Sequence, residues 1–307
     1  MENLQPIPPS PMFGGPPFPN SEEFPKGTIS VKWEDKPGGA MLDFKPNVVY
    51  QSLGGEDQHV QVIMPASMFA FPGAPTPKYP LIAYVPGSAW MRQNPMMSLP
   101  RMIQVAQAGY VVAIIEYRPT DIGAAFPAQV EDAEAAIRFM LEHSEEYGID
   151  GSKIAVWGDS SGGHTAVSVG IRGNVPCNVV VDWFGPTEIA AMNDYPSGMV
   201  HHGADSPEGK LIGNKDLIEY PELAAAANPI GWLSADKPTP PILIMHGAAD
   251  SVVPFNQSVR LYNRLRELGK ETTFYKLEDG GHGMGGFNSD ECLNVTLDYI
   301  AAHLEKN

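Results

Sequence analysis

From about Thr28 onward, short apolar runs of strand length alternate with segments of helical period, and few architectures satisfy that alternation. Leu81 to Val85, Tyr110 to Tyr117, Ile154 to Trp157, Val179 to Trp183 and Pro241 to Met245 are dominated by apolar residues, the pattern of parallel strands buried on both faces. Val48 to Ser52 and His59 to Met64 precede them as early strands, and Thr272 to Leu277 follows as the last. Between them, a helix is predicted from Pro127, with Val130, Ala133, Ile137 and Leu141 on one face. Further helices are predicted from His164 to Ile171 and from Phe255 to Leu268, the latter closed by Gly269. A last helix lines up Leu293, Leu297, Ile300 and Leu304. The expectation is an α/β domain with a mostly parallel central sheet and helices on both faces.

A chain of 307 residues suits one such domain, here spanning residues 28–307. Residues 185–240 break the period and are read as a small insertion or cap over one edge of the active site. Residues 1–27 are rich in Pro and Gly and are read as an extended arm. A formal net charge of −16 leaves no basic stripe for phosphates, so no nucleic-acid partner is expected. No apolar run reaches about 18 residues, so no membrane span is expected. Met1 to Phe24 has neither a basic n-region nor an apolar h-region, which reads as cytoplasmic, or as exported if a leader has been removed. Cys177 and Cys292 are read as two free thiols, with one disulfide as the alternative.

The stretch Val156 to His164 holds G-x-S-x-G at Gly158, Ser160 and Gly162, after a predicted strand and before a predicted helix. In that setting the glycines leave room for a tight turn that lifts the Ser160 hydroxyl clear of the sheet. The next backbone N–H, that of Ser161, then points at a developing oxyanion. A plain Gly/Ser-rich connection is the bland alternative. A serine hydroxyl needs a base, and His282, glycine-flanked after the last strand, is the candidate. Asp250, beyond the strand ending at Met245, is the candidate acid; Asp279 is a rival too near His282 in sequence to reach its far nitrogen. Singly, Asp250 could be a turn residue and His282 a solvated loop residue, but three such residues at three strand ends point to nucleophilic acyl transfer. His201 and His202 are adjacent in the insertion without ligand spacing, so no metal and no cofactor are expected. His164 is read as packing behind Ser160.

Pro86-Gly87-Ser88-Ala89-Trp90, at the end of the Leu81–Val85 run, completes a set of motifs. Together with Glu116-Tyr117-Arg118, Phe126 to Ala133, Gly158 to His164, His246 to Pro254 and Gly281-His282-Gly283, it resembles the hormone-sensitive-lipase-like esterases of the α/β-hydrolase fold. The resemblance is closer to bacterial bifunctional feruloyl and acetyl (acetylxylan) esterases, and runs from about residue 45 to the C-terminus. It implies a serine carboxylesterase for short acyl esters of plant polysaccharides or sugars, with Ser160, Asp250 and His282 as triad. By position, it also implies oxyanion N–H donors at Ser88, Ala89 and Ser161. Pro86 and Ser88 depart from the family's His-Gly-Gly-Gly; backbone donors survive if the turn keeps its shape. Trp90, Trp183, His201 and His202 are the candidate substrate contacts, with Phe184 and Tyr195 nearby; the alternatives are that Trp183 and Phe184 simply end a buried strand and that His201 and His202 are surface or pocket-rim residues. The rivals are a peptidase of the prolyl-oligopeptidase type, for whose propeller the chain has no room, and a non-catalytic hydrolase-fold binding module.

Overall fold

The structure, a computed structural model, describes residues 25–29, 41–53, 55–66 and 77–305. Nearly all of the expected N-terminal arm lies outside them. Among the described residues, eight strands form one sheet: β1 (Leu42–Leu53), β2 (Glu56–Pro65), β3 (Tyr79–Val85), β4 (Val111–Ile115), β5 (Ile149–Asp159), β6 (Val179–Trp183), β7 (Ile242–Gly247) and β8 (Thr272–Leu277). Their spatial order is β1-β2-β4-β3-β5-β6-β7-β8. β2 pairs antiparallel with β1 and with β4; every other pairing is parallel. The helices are α1 (Leu99–Gln107), α2 (Ala128–Glu142), α3 (Ser144–Tyr147), α4 (Ser161–Arg172), α5 (Pro207–Leu211), α6 (Pro221–Ala226), α7 (Asn256–Glu267) and α8 (Asp290–Leu304).

The strands read as apolar runs because both sheet faces are covered. Along β3, Leu81, Ala83 and Val85 join a core with residues of α2, α4 and α7, while Ile82 and Tyr84 point to the opposite core under α1 and α8. β5 divides in the same way, Ile154 and Val156 against Ala155 and Trp157. Side chains alternate across a strand, so each run feeds two cores at once. α1 escaped the sequence reading. It is nine residues long and buries only Met102, Val105 and Ala106, too few for its period to stand out. α4 starts at Ser161, earlier than expected, because Gly162 and Gly163 lie inside the helix and not in the turn before it.

Residues 185–240 leave the sheet between β6 and β7 and carry α5, α6 and two short 3₁₀ turns, Ile189–Asp194 and Pro229–Trp232. Ile189, Leu211, Ile212, Leu217, Ala224 and Ala227 form a third, small apolar cluster around Trp90. That cluster fixes the segment above the carboxyl edge of the parallel strands, where loops from several strands converge.

Candidate active site

Ser160 follows β5 and precedes α4, in a turn that sterics determine. Its φ is +54°, a left-handed value that an L-residue adopts only under constraint. The constraint is visible at the two motif glycines. A Cβ on Gly158 would lie 2.0 Å from the Gly162 carbonyl oxygen, and one on Gly162 would lie 1.9 Å from that of Val85. The Ser160 N–H donates to the Trp183 carbonyl at 2.9 Å, tying the turn to β6.

The loops after β7 and β8 bring two more residues to this hydroxyl. His282 Nε2 lies 2.9 Å from Ser160 Oγ, and His282 Nδ1 lies 2.8 Å from Asp250 Oδ2. The arrangement assigns the proton of the neutral ring to Nδ1, which leaves Nε2 free to accept from the serine. The Phe184 ring packs against the imidazole at 4.8 Å. Asp250 is buried, and burial works to raise its pKa. Side-chain hydrogen bonds from His246 and His282, and the Val252 N–H at 2.8 Å, outweigh this and hold the carboxyl far below the usual range. The same hydrogen bonds favour the anionic form of Asp250. Asp279, the rival acid, is exposed.

His246 is a residue the sequence reading passed over. Its fully buried ring shares Nε2–H between the Val253 carbonyl at 3.0 Å and Asp250 Oδ2 at 3.3 Å, and its Nδ1 accepts from Ser258. It gives Asp250 a second ring donor and locks the acid loop to β7. A histidine four residues before the acid was the available sign.

The loop after β3 corrects one expectation. The Ser88 N–H, expected to face an oxyanion, donates instead to the Ser161 hydroxyl at 2.9 Å. The Ser88 hydroxyl donates to the Met91 carbonyl at 2.6 Å and contacts the Tyr117 hydroxyl at 2.9 Å, so it braces the loop and does not narrow an acyl pocket. Ala89 and Trp90 both have positive φ, +54° and +57°, which turns the loop over Ser160. The Ala89 and Ser161 N–H groups donate to no acceptor among the described residues, the latter because it opens helix α4. Asp159 accepts from Gly87 N–H and from the Tyr84 hydroxyl, joining this loop to the nucleophile turn.

The four expected substrate contacts part company. Trp90 is buried, and its indole N–H donates to His164 Nδ1 at 3.2 Å, while His164 Nε2 donates to the Ala227 carbonyl at 2.8 Å. Burial pushes the pKa of His164 down to about 4, so this neutral ring anchors the loop and the insertion together. Trp90 and His201 do line a cavity of about 50 Å³ beside Ser160, with Ala89, Met192, Glu208 and Val253. His201 is buried and pairs with Glu208 at 2.9 Å. Trp183 is not at this site. It is wholly buried on the other sheet face, between Trp157, Phe287 and the Arg101 guanidinium, because its place on β6 points it there. His202 faces away as well, half exposed and 3.4 Å from Asp216; adjacent residues project differently, and His201 takes the inward place.

Cys177 and Cys292 are free, and burial raises their thiol pKa values to about 12 and about 11. Among the described residues, no group of three or more His, Cys, Asp or Glu could hold a metal, and no helix is long and apolar enough to cross a membrane.

The fold is that of the α/β-hydrolases. Within them, the chain belongs to the BD-FAE family, whose profile matches residues 69–265. It is similar to the probable carboxylic ester hydrolase LipM of Mycobacterium tuberculosis, 26% identical over 64% of this chain and 47% of that protein. The chain thus spans about half the length of that curated relative. Among solved structures, it is 30% identical to a truncated carbohydrate esterase from gut microbiota, covering 89% of this chain and 100% of that one with a TM-score of 0.73. It is 28% identical to a bifunctional GH43-CE protein of Bacteroides eggerthii, covering 88% of this chain and 39% of that one with a TM-score of 0.71.

Proposed function

We propose that the chain is a serine carboxylesterase that removes short acyl groups, acetyl first, from a sugar or aryl alcohol through an acyl-enzyme. The unbroken contact chain Ser160 Oγ–His282 Nε2 and His282 Nδ1–Asp250 Oδ2 carries this reading. His282 takes the serine proton as Ser160 attacks the ester carbonyl. The resulting imidazolium is stabilised by the anionic Asp250. Ala89 and Ser161 N–H groups hold the oxyanion, one from each side of the cleft. His282 then returns the proton to the departing alcohol, and water repeats the sequence on the acyl-enzyme. The alcohol must therefore sit beside His282. The cavity lined by Ala89, Trp90 and Ser161, which His282 does not line, is left for the acyl group.

Size supports acetyl over feruloyl. The cavity is about 50 Å³, against roughly 150 Å³ for a cavity that holds benzene. A cavity of this size favours a two- to four-carbon acyl group over a feruloyl ring. The carbohydrate-esterase names among the structural relatives support a sugar alcohol. Hydrolysis of a series of 4-nitrophenyl esters from acetate to octanoate, with methyl ferulate alongside, tests the reading. The expected kcat/KM is highest at acetate and falls beyond about four carbons, because an overfilled pocket displaces the carbonyl from its N–H donors. A maximum at octanoate, or ferulate turned over as well as acetate, would overturn it.

A further inference from the structure

The two residues that flank the nucleophile each hold one N–H of the loop after β3. Asp159 Oδ1 accepts the Gly87 N–H at 3.2 Å, and Ser161 Oγ accepts the Ser88 N–H at 2.9 Å. The next N–H along the loop is that of Ala89, one of the two proposed oxyanion donors. The other is the backbone N–H of Ser161 itself. Ser161 thus carries one donor on its backbone and, through its side chain, holds the residue that precedes the second.

The Ser161 hydroxyl belongs to a closed ring of hydrogen bonds whose directions follow from counting protons. The Ser88 hydroxyl donates to the Met91 carbonyl at 2.6 Å, so in its 2.9 Å contact with Tyr117 it accepts the phenol proton. The Pro86 carbonyl lies farther from that phenol, at 3.4 Å. With its own proton directed to Ser88, the Tyr117 oxygen accepts from the Ser161 hydroxyl, in a long contact of 3.4 Å. Ser161 Oγ in turn accepts the Ser88 N–H, which closes the ring. Ser161 and Tyr117 are 1% and 2% exposed, so water does not compete for these bonds, and each polarises the next.

The loop needs this support. Ala89 at φ +54° and Trp90 at φ +57° hold values that non-glycine residues keep only when their surroundings impose them. On the far side, the Trp90 carbonyl accepts the Thr120 N–H at 2.9 Å. On the near side, the Ser161 hydroxyl is the tie to helix α4. Removing it leaves the Ser88 N–H without its acceptor and lets the strained turn relax. An oxyanion donor acts through its fixed aim at the developing charge, so a small displacement of Ala89 costs rate and not ground-state binding.

We propose that the Ser161 hydroxyl is a positioning group that sets the separation of the two oxyanion donors, with Tyr117 and Ser88 completing its ring; the assignment rests on the esterase reading above. The test compares the full wild-type chain with Ser161→Ala, which keeps the backbone donor, and Tyr117→Phe, which keeps the aromatic ring. On 4-nitrophenyl acetate, Ser161→Ala is expected to lower kcat about 30-fold with KM within about twofold, short of the ~10²- to 10³-fold that loss of a whole donor costs. Tyr117→Phe is expected to lower kcat about fivefold, and the double variant to lose less than the product of the two, because both break one ring. A trifluoromethyl ketone, which gives a tetrahedral oxyanion adduct on serine, is expected to bind Ser161→Ala more weakly by the same factor as kcat falls. Exchange of the Ser88 amide proton, followed by NMR, is expected to be faster in Ser161→Ala than in wild type. A loss that falls on KM, independent losses in the double variant, unweakened ketone binding or unchanged Ser88 exchange would overturn the positioning role. A rise in kcat would overturn it too, since the released Ser88 N–H would then be serving the oxyanion itself. If Ser161→Ala does not fold, kcat and ketone binding in Tyr117→Phe decide in its place. A wild-type chain that cleaves no ester overturns the esterase reading and this proposal with it, whereas an active wild type with kcat kept in Ser161→Ala overturns this proposal alone.

Discussion

The turn that carries Ser160 and the segment of residues 185–240 above it reach their shapes by opposite routes. The turn is shaped locally: two glycines whose Cβ positions are filled by backbone at 2.0 and 1.9 Å, and a serine forced to φ +54° between them. The segment is shaped from a distance. Gln257 Oε1 accepts the N–H groups of both Thr187 and Glu188, Asn228 Oδ1 accepts that of Ile189, and Ser197 bridges to the acid loop at the Val252 carbonyl. Its buried His201–Glu208 pair then becomes a wall of the cavity at Ser160. The difference separates chemistry from selectivity. On the proposed reading, the nucleophile sits where sterics leave one conformation, and the groups that would judge the substrate sit where long-range contacts place them.

The sharpest break of that comparison is at the reacting groups. Ser160→Ala is expected to lower kcat by about 10⁴-fold or more with the fold unchanged by circular dichroism. Asp250→Asn is expected to cost about 10³- to 10⁴-fold with KM little changed, because it spoils the orientation of His282 and not substrate binding. Asp279→Asn, at an exposed site, is the control; if it proves the more damaging change, the acid has been misplaced.

The next effect is on selectivity and belongs to the insertion. Glu208 is buried, its Oε2 has no partner among the described residues, and its side chain lines the cavity proposed for the acyl group. Glu208→Leu is expected to move the best acyl ester from acetate toward butyrate, with a gain of about fourfold per added methylene, the value of burying one CH₂. A uniform loss across the ester series would instead mark Glu208 as a support for His201 alone.

This contrast also explains what could be read in the sequence. Every strand of the sheet and the long helices apart from α1 were legible, because the inner apolar runs serve two cores and each amphipathic helix one. The meeting of Ser160, His282 and Asp250 was legible because each lies at a strand end in a glycine-marked loop. Trp183 was misread because the residue that ends a buried strand and the residue that opens a pocket look alike in sequence; only the strand's register sends its ring to the far face. Glu208 and His246 gave little sign, since a polar residue becomes a pocket wall or a second-ring donor only when a distant segment closes on it. The Ser88 N–H was misplaced because its acceptor, the Ser161 hydroxyl, comes from another loop.

The smallest expected effect lies beneath the turn. Asp182, on β6, is fully buried; Oδ1 accepts the Gly185 N–H at 2.9 Å and Oδ2 has no partner among the described residues. Burial raises its pKa to about 8. Unfolded, an aspartate titrates near ~3.9, so between that value and about 8 the folded state binds one proton more than the unfolded state. Stability then falls as pH rises through this window. Asp182→Asn removes that slope, and is expected to raise Tm by a few degrees at pH 8 relative to wild type and by less at pH 5. A gain that does not depend on pH would contradict a protonated Asp182.

The central claim, that Ser160 is an activated nucleophile, is tested most directly by covalent labelling. A fluorophosphonate reports a serine made nucleophilic by its base, and peptide mass spectrometry locates the adduct. The account predicts one adduct, on Ser160, lost in Ser160→Ala and greatly slowed in His282→Ala. An active protein that stays unlabelled, or that carries the adduct on Ser161 or elsewhere, would contradict it.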